Sequence, residues 1–152
     1  INLGFSGNGR MEQPVVDLMA SIDAATYVID CLPNMNAQQV AIQTKPLVHT
    51  LRKARPQTPI LLVEDRSYSN AFLVKSNRNR NQQNRQSLQT AYQQLQAAGV
   101  KHLYYLPGNH LLGQDNLATV DGSHPTDLGF MRMADAFEPL LEKILTTTTT
   151  RR

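Results

Sequence analysis

The chain has a single cysteine, Cys31, so no disulfide framework exists and cysteine usage says nothing about compartment. No apolar run approaches the length of a membrane span, and no stretch has the pattern of a signal peptide. A leader lying before Ile1 leaves the same picture, so compartment stays open. The histidines at 49, 102 and 110 lack the spacing of metal ligands, and no cluster reads as a metal site. There is no internal repeat and no second domain. The basic residues are few but concentrated. Lys and Arg number 15 against 12 Asp and Glu, and much of the excess lies in KSNRNRNQQNR (75–85) and in Arg151-Arg152. No aromatic residue interrupts that run, which argues against a stacking surface for nucleic acid. It reads as a solvated loop leading into a helix.

What is present is an ordinary domain of 152 residues, 41% hydrophobic and 18% charged, long enough to bury a core. Short apolar runs alternate with amphipathic stretches, which predicts an α/β fold with a parallel sheet. INLGF (1–5) begins a first strand. Pro14 suits a first helical turn, and Val15, Leu18, Met19 and Ile22 follow at helical spacing. TYVIDCL (26–32) is a continuous apolar strand, as a sheet covered on both faces requires. Val40, Thr44, Leu47, Val48 and Leu51 form a helical stripe, which Pro46 should kink or restart. PILLVED (59–65) is the clearest strand, and residues 66–82 read as loop. Leu88, Ala91, Tyr92, Leu95 and Ala98 mark a helix stopped by Gly99. VKHLYYL (100–106) is a strand. A long loop then reaches Pro125, and Thr126 caps a last helix carrying Leu128, Met131, Ala134, Phe137, Leu141 and Ile144. The predicted order is β-α-β-α-β-α-β-α, with one domain over 1–145 and a low-complexity, frayed tail over 146–152.

Such a sheet binds its ligand beyond the carboxyl ends of its strands. Three segments there carry chemistry. In DGSHPTDLGF (121–130), Asp121 and His124 are three apart, so the carboxylate can accept from imidazole Nδ1 and leave Nε2 as a base. The competing reading is a turn cap beside a surface histidine. In DCLPNM (30–35), Asn34 can donate its amide to an oxyanion, or can be an ordinary turn asparagine after Pro33. FSGNGR offers Ser6 as a nucleophile or the Gly7 N–H as a donor, or it is a plain glycine turn. Gly4-Phe5-Ser6-Gly7-Asn8 is not a Gly-x-Ser-x-Gly elbow, since its fifth residue is asparagine. No Walker lysine follows for phosphate binding. Ser67, Ser69 and Ser123 are less well placed than Ser6. His110, with Asp115, lies in the loop before the pair and is a candidate for lining the cleft.

Taken together, SGN, PN and DGSHP resemble the SGNH (GDSL-type) hydrolase family of esterases and lipases. The likeness is greatest to a bacterial branch whose second block reads like NLGFSGNGR, and it covers residues 1 to about 145. The resemblance implies a three-layer α/β/α sandwich with a flavodoxin-like parallel sheet. It implies Asp121 and His124 as the catalytic dyad, with the Gly7 N–H and the Asn34 amide as the oxyanion hole. Here the sequence has PNM where many members have GND. In the family the nucleophilic serine lies in a first block upstream of these residues, and no such block is present. The usual strand order, 2-1-3-4-5, makes the strand of that block the central one. An upstream segment or a partner chain is therefore expected to complete the sheet.

The function implied is hydrolysis of a small-acyl ester, such as an acetyl group on a carbohydrate, with no cofactor and no metal. The branch implies a secreted or periplasmic bacterial protein. Three other readings stay open: Ser6 as the nucleophile, a non-catalytic remnant that binds a sugar or a partner, and an anion- or nucleic-acid-binding protein using residues 75–85.

Overall fold

The computed structural model describes residues 1–149. Its elements are α1 (Gln13–Ser21), β1 (Tyr27–Ile29), α2 (Ala37–Ala54), β2 (Ile60–Val63), α3 (Lys75–Ala97), β3 (Leu103–Leu106) and α4 (Asp127–Thr149), with one 3-10 turn at Leu32–Asn34. The strands are all parallel, in the order β1-β2-β3. Val28 stands opposite Leu61, and Leu61 opposite Tyr104. β2 is buried throughout, as expected of the middle strand of a parallel sheet.

The alternation of side chains along the strands divides the core in two. Tyr27, Ile29, Ile60, Leu62 and Leu103 face Val16 of α1, Val40, Leu47, Val48 and Leu51 of α2, and Leu88 and Leu95 of α3. Leu61, Val63 and Leu106 face the other way, against Ile144, Phe137 and Leu141 of α4. Helices thus cover both faces of the sheet, giving the three-layer α/β/α architecture.

Local signals explain most boundaries. Pro14 occupies the first turn of α1. Asn36 and Gln39 form a reciprocal capping box at the start of α2, each bond 2.9 Å. Pro46 does not restart α2, which runs unbroken through it. The proline lies on the exposed side, where the carbonyl it orphans can meet water. Gly99, at φ +80°, ends α3 as its sequence position predicts.

Four expectations need correction. INLGF forms no strand: residues 1–5 are irregular and Ile1 is 97% exposed. A strand needs a neighbour to ladder with, and no described strand lies beside this segment. The Gly4 N–H turns instead to Asn2 Oδ1, at 2.7 Å. The sheet accordingly has three described strands rather than four, and β1 pairs on one side only. Its Val28, paired with Leu61 and so on the α4 side of the sheet, is 39% exposed.

Residues 75–82 are helix rather than loop, because α3 begins at Lys75. Its first turns bury asparagines in place of leucines: Asn81 and Asn84 are as inaccessible as the core, the Asn81 amide is satisfied at both ends by backbone groups, and Asn84 Nδ2 donates to backbone carbonyls while its Oδ1 has no partner among the described residues. In α4, Met131 and Ala134 fall on the exposed side. The packed face runs instead through Met133, Ala136, Phe137, Leu140, Leu141 and Ile144. Finally, α4 continues to Thr149, four residues into the segment expected as a tail, and residues 150–152 lie outside the described part.

Candidate active site

Because the strands are parallel, their carboxyl ends share one edge, and the loops leaving that edge carry the polar residues of interest. The loop after β1 is the 3-10 turn ending at Asn34. It is closed by Asn34 N–H donating to Cys31 O (3.0 Å) and Met35 N–H to Leu32 O (2.9 Å). The Asn34 amide reaches the Gly9 carbonyl at 3.4 Å, so this turn and the SGN segment are brought together. An amide nitrogen has two protons. One lies toward Gly9 and the other is available to a ligand.

The SGN segment is a tight turn in which Asn8 N–H donates to Phe5 O at 2.9 Å. Gly7 has φ +66°, the left-handed region that glycine enters without strain. Its carbonyl, part of the Gly7–Asn8 peptide, is held by Arg10 Nη2 at 3.1 Å. Ser6 is exposed on the same turn. Cys31, beside Gly9 and Asn34, is no rival nucleophile: burial, with the Asp30 and Glu12 carboxylates, pushes its thiol up to about 12.

The loop after β3 folds back on itself. Val120 N–H donates to His124 O at 2.8 Å and Thr126 N–H to Ala118 O at 3.0 Å, around a bridge between Thr119 and Pro125. At its tip, Asp121 Oδ1 accepts the N–H groups of Ser123 (2.9 Å) and His124 (2.8 Å). Asp121 Oδ2 lies 2.7 Å from His124 Nδ1. The pair is open to solvent, with side chains 53% and 77% exposed for Asp121 and His124. This is the arrangement that the three-residue spacing predicts. The carboxylate accepts from Nδ1, so the neutral imidazole keeps its lone pair on Nε2.

The His124 backbone N–H, then its ring, then the Ser123 N–H hold the Asp121 carboxyl below the usual carboxylate range. A depressed native value means a contribution that is full above the unfolded value, ~3.9, and lost only as pH falls through the lower native one. Asp121 should therefore stay ionised through the ordinary carboxylate range. A carbon-detected NMR titration of its carboxyl should give a midpoint below ~3.9. A midpoint at or above that value would mean the loop is not closed this way in solution.

The dyad loop is tied to the other loops by contacts that sequence reasoning missed. Arg66, just past β2, donates from Nε to Ser123 O at 2.6 Å and from Nη2 to Ser123 Oγ at 3.1 Å. Ser69 N–H donates to Gly122 O at 2.9 Å. Asp115 does not meet His110. It forms a two-pronged pair with Arg132 of α4, at 2.7 and 2.6 Å, which anchors the middle of the long loop. His110 lies 3.1 Å from Gln114 Nε2 and is exposed. His102 takes a left-handed backbone, φ 53°, immediately before β3 rather than within it. Among the described residues no group of three or more His, Cys, Asp or Glu is gathered as a metal site requires. No described helix is long and apolar enough to cross a membrane.

A parallel α/β/α sandwich with polar loops gathered at the carboxyl edge of its sheet places the chain in the broad flavodoxin-like class of folds, which hosts many unrelated activities. More narrowly, the chain belongs to the GDSL-like lipase/acylhydrolase family, whose family model matches residues 1–142. It superposes on the crystal structure of a GDSL-like lipase from Bacteroides ovatus with a TM-score of 0.92 and 36% identity, over 96% of this chain. It spans 43% of the length of that protein. The salicylyl-acyltransferase SsfX3 of a tetracycline biosynthetic pathway shares the fold, with a TM-score of 0.73 at 14% identity, over 90% of this chain and 42% of its own. No curated protein matches the sequence.

Proposed function

We propose that the protein hydrolyses esters of small acyl groups, with an acylated carbohydrate as the favoured substrate class. The observation that carries this reading is the 2.7 Å contact between Asp121 and His124 Nδ1, at the carboxyl edge of a family sheet. In the proposed cycle a serine hydroxyl attacks the ester carbonyl while His124 Nε2 takes its proton. The tetrahedral oxyanion is held by the Gly7 N–H and the Asn34 amide. Collapse expels the alcohol, which recovers the proton from His124. Water then enters by the same route, cleaves the acyl-serine and releases the acid. Asp121 keeps the ring in the right tautomer and offsets its transient positive charge.

The attacking serine is proposed to come from a strand outside these residues, seated on the open side of β1. Two observations support that placement. The outer edge of β1 pairs with no described strand, and INLG, expected to flank the missing central strand on its other side, has no ladder. An edge strand presents a row of unpaired N–H and C=O groups, a template that favours a partner strand.

Labelling the full-length protein with a fluorophosphonate and mapping the adduct tests the reading. An adduct on a serine preceding Ile1 supports it. An adduct on Ser6 moves the nucleophile onto the SGN turn. A folded protein that takes no label is a non-catalytic member of the fold. Asn34→Ala should lower kcat by about 10²–10³ with little change in KM, the usual cost of one oxyanion donor. Unchanged kcat would remove Asn34 from the oxyanion hole.

A further inference from the structure

The polar half of α3 has no part in the mechanism so far, yet its side chains reach both sets of active-site loops. Asn77, Asn81 and Asn84 fall at helical spacing and continue backward the stripe of Leu88, Ala91 and Leu95. They face the molecule, not solvent: Asn84 is 1% exposed.

On one side, Arg80 Nη2 donates to the carbonyls of Pro33 (2.8 Å) and Met35 (3.2 Å). Asn84 Nδ2 donates to those of Leu32 (3.3 Å) and Met35 (3.1 Å). The turn carrying Asn34 is thus gripped at the residues on either side of it. All three neighbours of the Asn84 amide nitrogen, these two carbonyls and Asp65 Oδ2 at 3.4 Å, are acceptors, so its orientation is fixed. On the other side, Asn81 Nδ2 donates to Arg66 O at 2.8 Å, and Asn81 Oδ1 accepts from Tyr68 N–H at 2.9 Å. Arg66 in turn holds Ser123 between the two dyad residues. Asn77 Nδ2 donates to Asn70 Oδ1 at 2.8 Å, and Asn70 lies against Gly122.

We infer that the first turns of α3 are a positioning device that fixes the oxyanion-hole turn and the dyad loop relative to each other, with Arg80 and Asn84 acting on Asn34 and Asn81 acting through Arg66 on His124. The inference rests on the proposed hydrolase reading for its catalytic consequence. The loops approach from different strands, and neither hydrogen-bonds directly to the other among the bonds described. A rigid helix bonded to both removes the freedom that would otherwise blur a geometry needing sub-ångström control. Donors suit this task because loop carbonyls are what each segment presents. Two of the four cations of KSNRNRNQQNR, Arg80 and Arg85, thus hold loop groups of the fold itself.

Arg80 is exposed, so Arg80→Ala in the full-length protein should keep the fold. Two readouts decide. Amide hydrogen exchange at Asn34 and Met35 should speed up by about tenfold, while Arg78→Ala, on the same helix, leaves it unchanged. In turnover of p-nitrophenyl acetate, kcat should fall about tenfold at constant KM, a fraction of the loss of a whole donor. Arg80→Lys should restore part of it. In a double-mutant cycle the Arg80→Ala effect should vanish in the Asn34→Ala background, because it acts through that amide. Unchanged exchange at Asn34 and Met35, or a fully additive cycle, overturns the assignment. Failure of the hydrolase reading looks different: Asn34→Ala and His124→Ala both turn over at the wild-type rate. In that event the exchange measurement alone decides whether α3 holds the turn.

Discussion

Alanine at His124 is expected to lower kcat of the full-length protein on p-nitrophenyl acetate by about 10²–10⁴, the range spanned by removal of a positioned general base. The fold should be untouched. The ring is largely in solvent, and the bonds that close its loop come from backbone atoms: His124 N–H to Asp121 and Val120 N–H to His124 O. Unfolding free energies from urea titration should therefore agree to within about 0.5 kcal/mol. That separation of activity from stability gives the experiment its force. Near-wild-type turnover would remove His124 from the chemistry and leave its contact with Asp121 as a loop closure. The acid limb of the wild-type pH profile belongs to the same argument. Asp121 is held ionised below the ordinary carboxylate range by three donors, so its own protonation should cause no loss of activity as pH falls through that range.

The parts of this site that could be read from sequence are those whose chemistry is local. Asp121 and His124 are three residues apart, and a turn of that length brings them together whatever the rest of the chain does. The Leu47–Val48–Leu51 stripe and the ILLV strand were equally legible, because apolar periodicity states directly which face is buried. The N-terminal half of α3 was not. Its periodicity is the same, but it is written in asparagine, a residue that usually marks turns and caps. Read as a stripe, Asn77, Asn81 and Asn84 lead into Leu88 and extend the helix to its observed start. Arg66 on Ser123 had no signal at all, since the partners are 57 residues apart and one of them is a carbonyl. INLGF failed for another reason. Strand propensity is a statement about fit to a neighbour, and the described residues supply none.

The largest expected effect on stability comes from Gly108, two residues past β3, where Gly108→Ala should cost about 3–5 kcal/mol, combining overpacking with a lost charge-assisted hydrogen bond. A Cβ there would lie 2.1 Å from the Asp65 carbonyl oxygen, 2.8 Å from its carbon and 3.0 Å from Glu64 Cβ. The nearest of these are backbone atoms at the end of the central strand, so no side chain can swing aside. Relief requires the 107–109 backbone to move away from β2. That movement breaks the Gly108 N–H bond to Glu64 Oε2, now 2.7 Å. Glu64 is buried and also accepts from the Tyr105 hydroxyl, with Arg85 Nε 3.6 Å from Oε2. A buried carboxylate that loses a donor keeps its desolvation cost. Domains of this kind hold only about 5–15 kcal/mol in total, so the urea midpoint should fall steeply. Gly7→Ala, which meets no atom within 4 Å and carries only its positive φ, should cost far less. An unchanged midpoint for Gly108→Ala would show that the loop does not approach β2 this closely. The same strand end bears Arg66, which holds Ser123, so a displaced 107–109 segment should also loosen the dyad loop. Activity should then be lost at denaturant concentrations below those that unfold the protein.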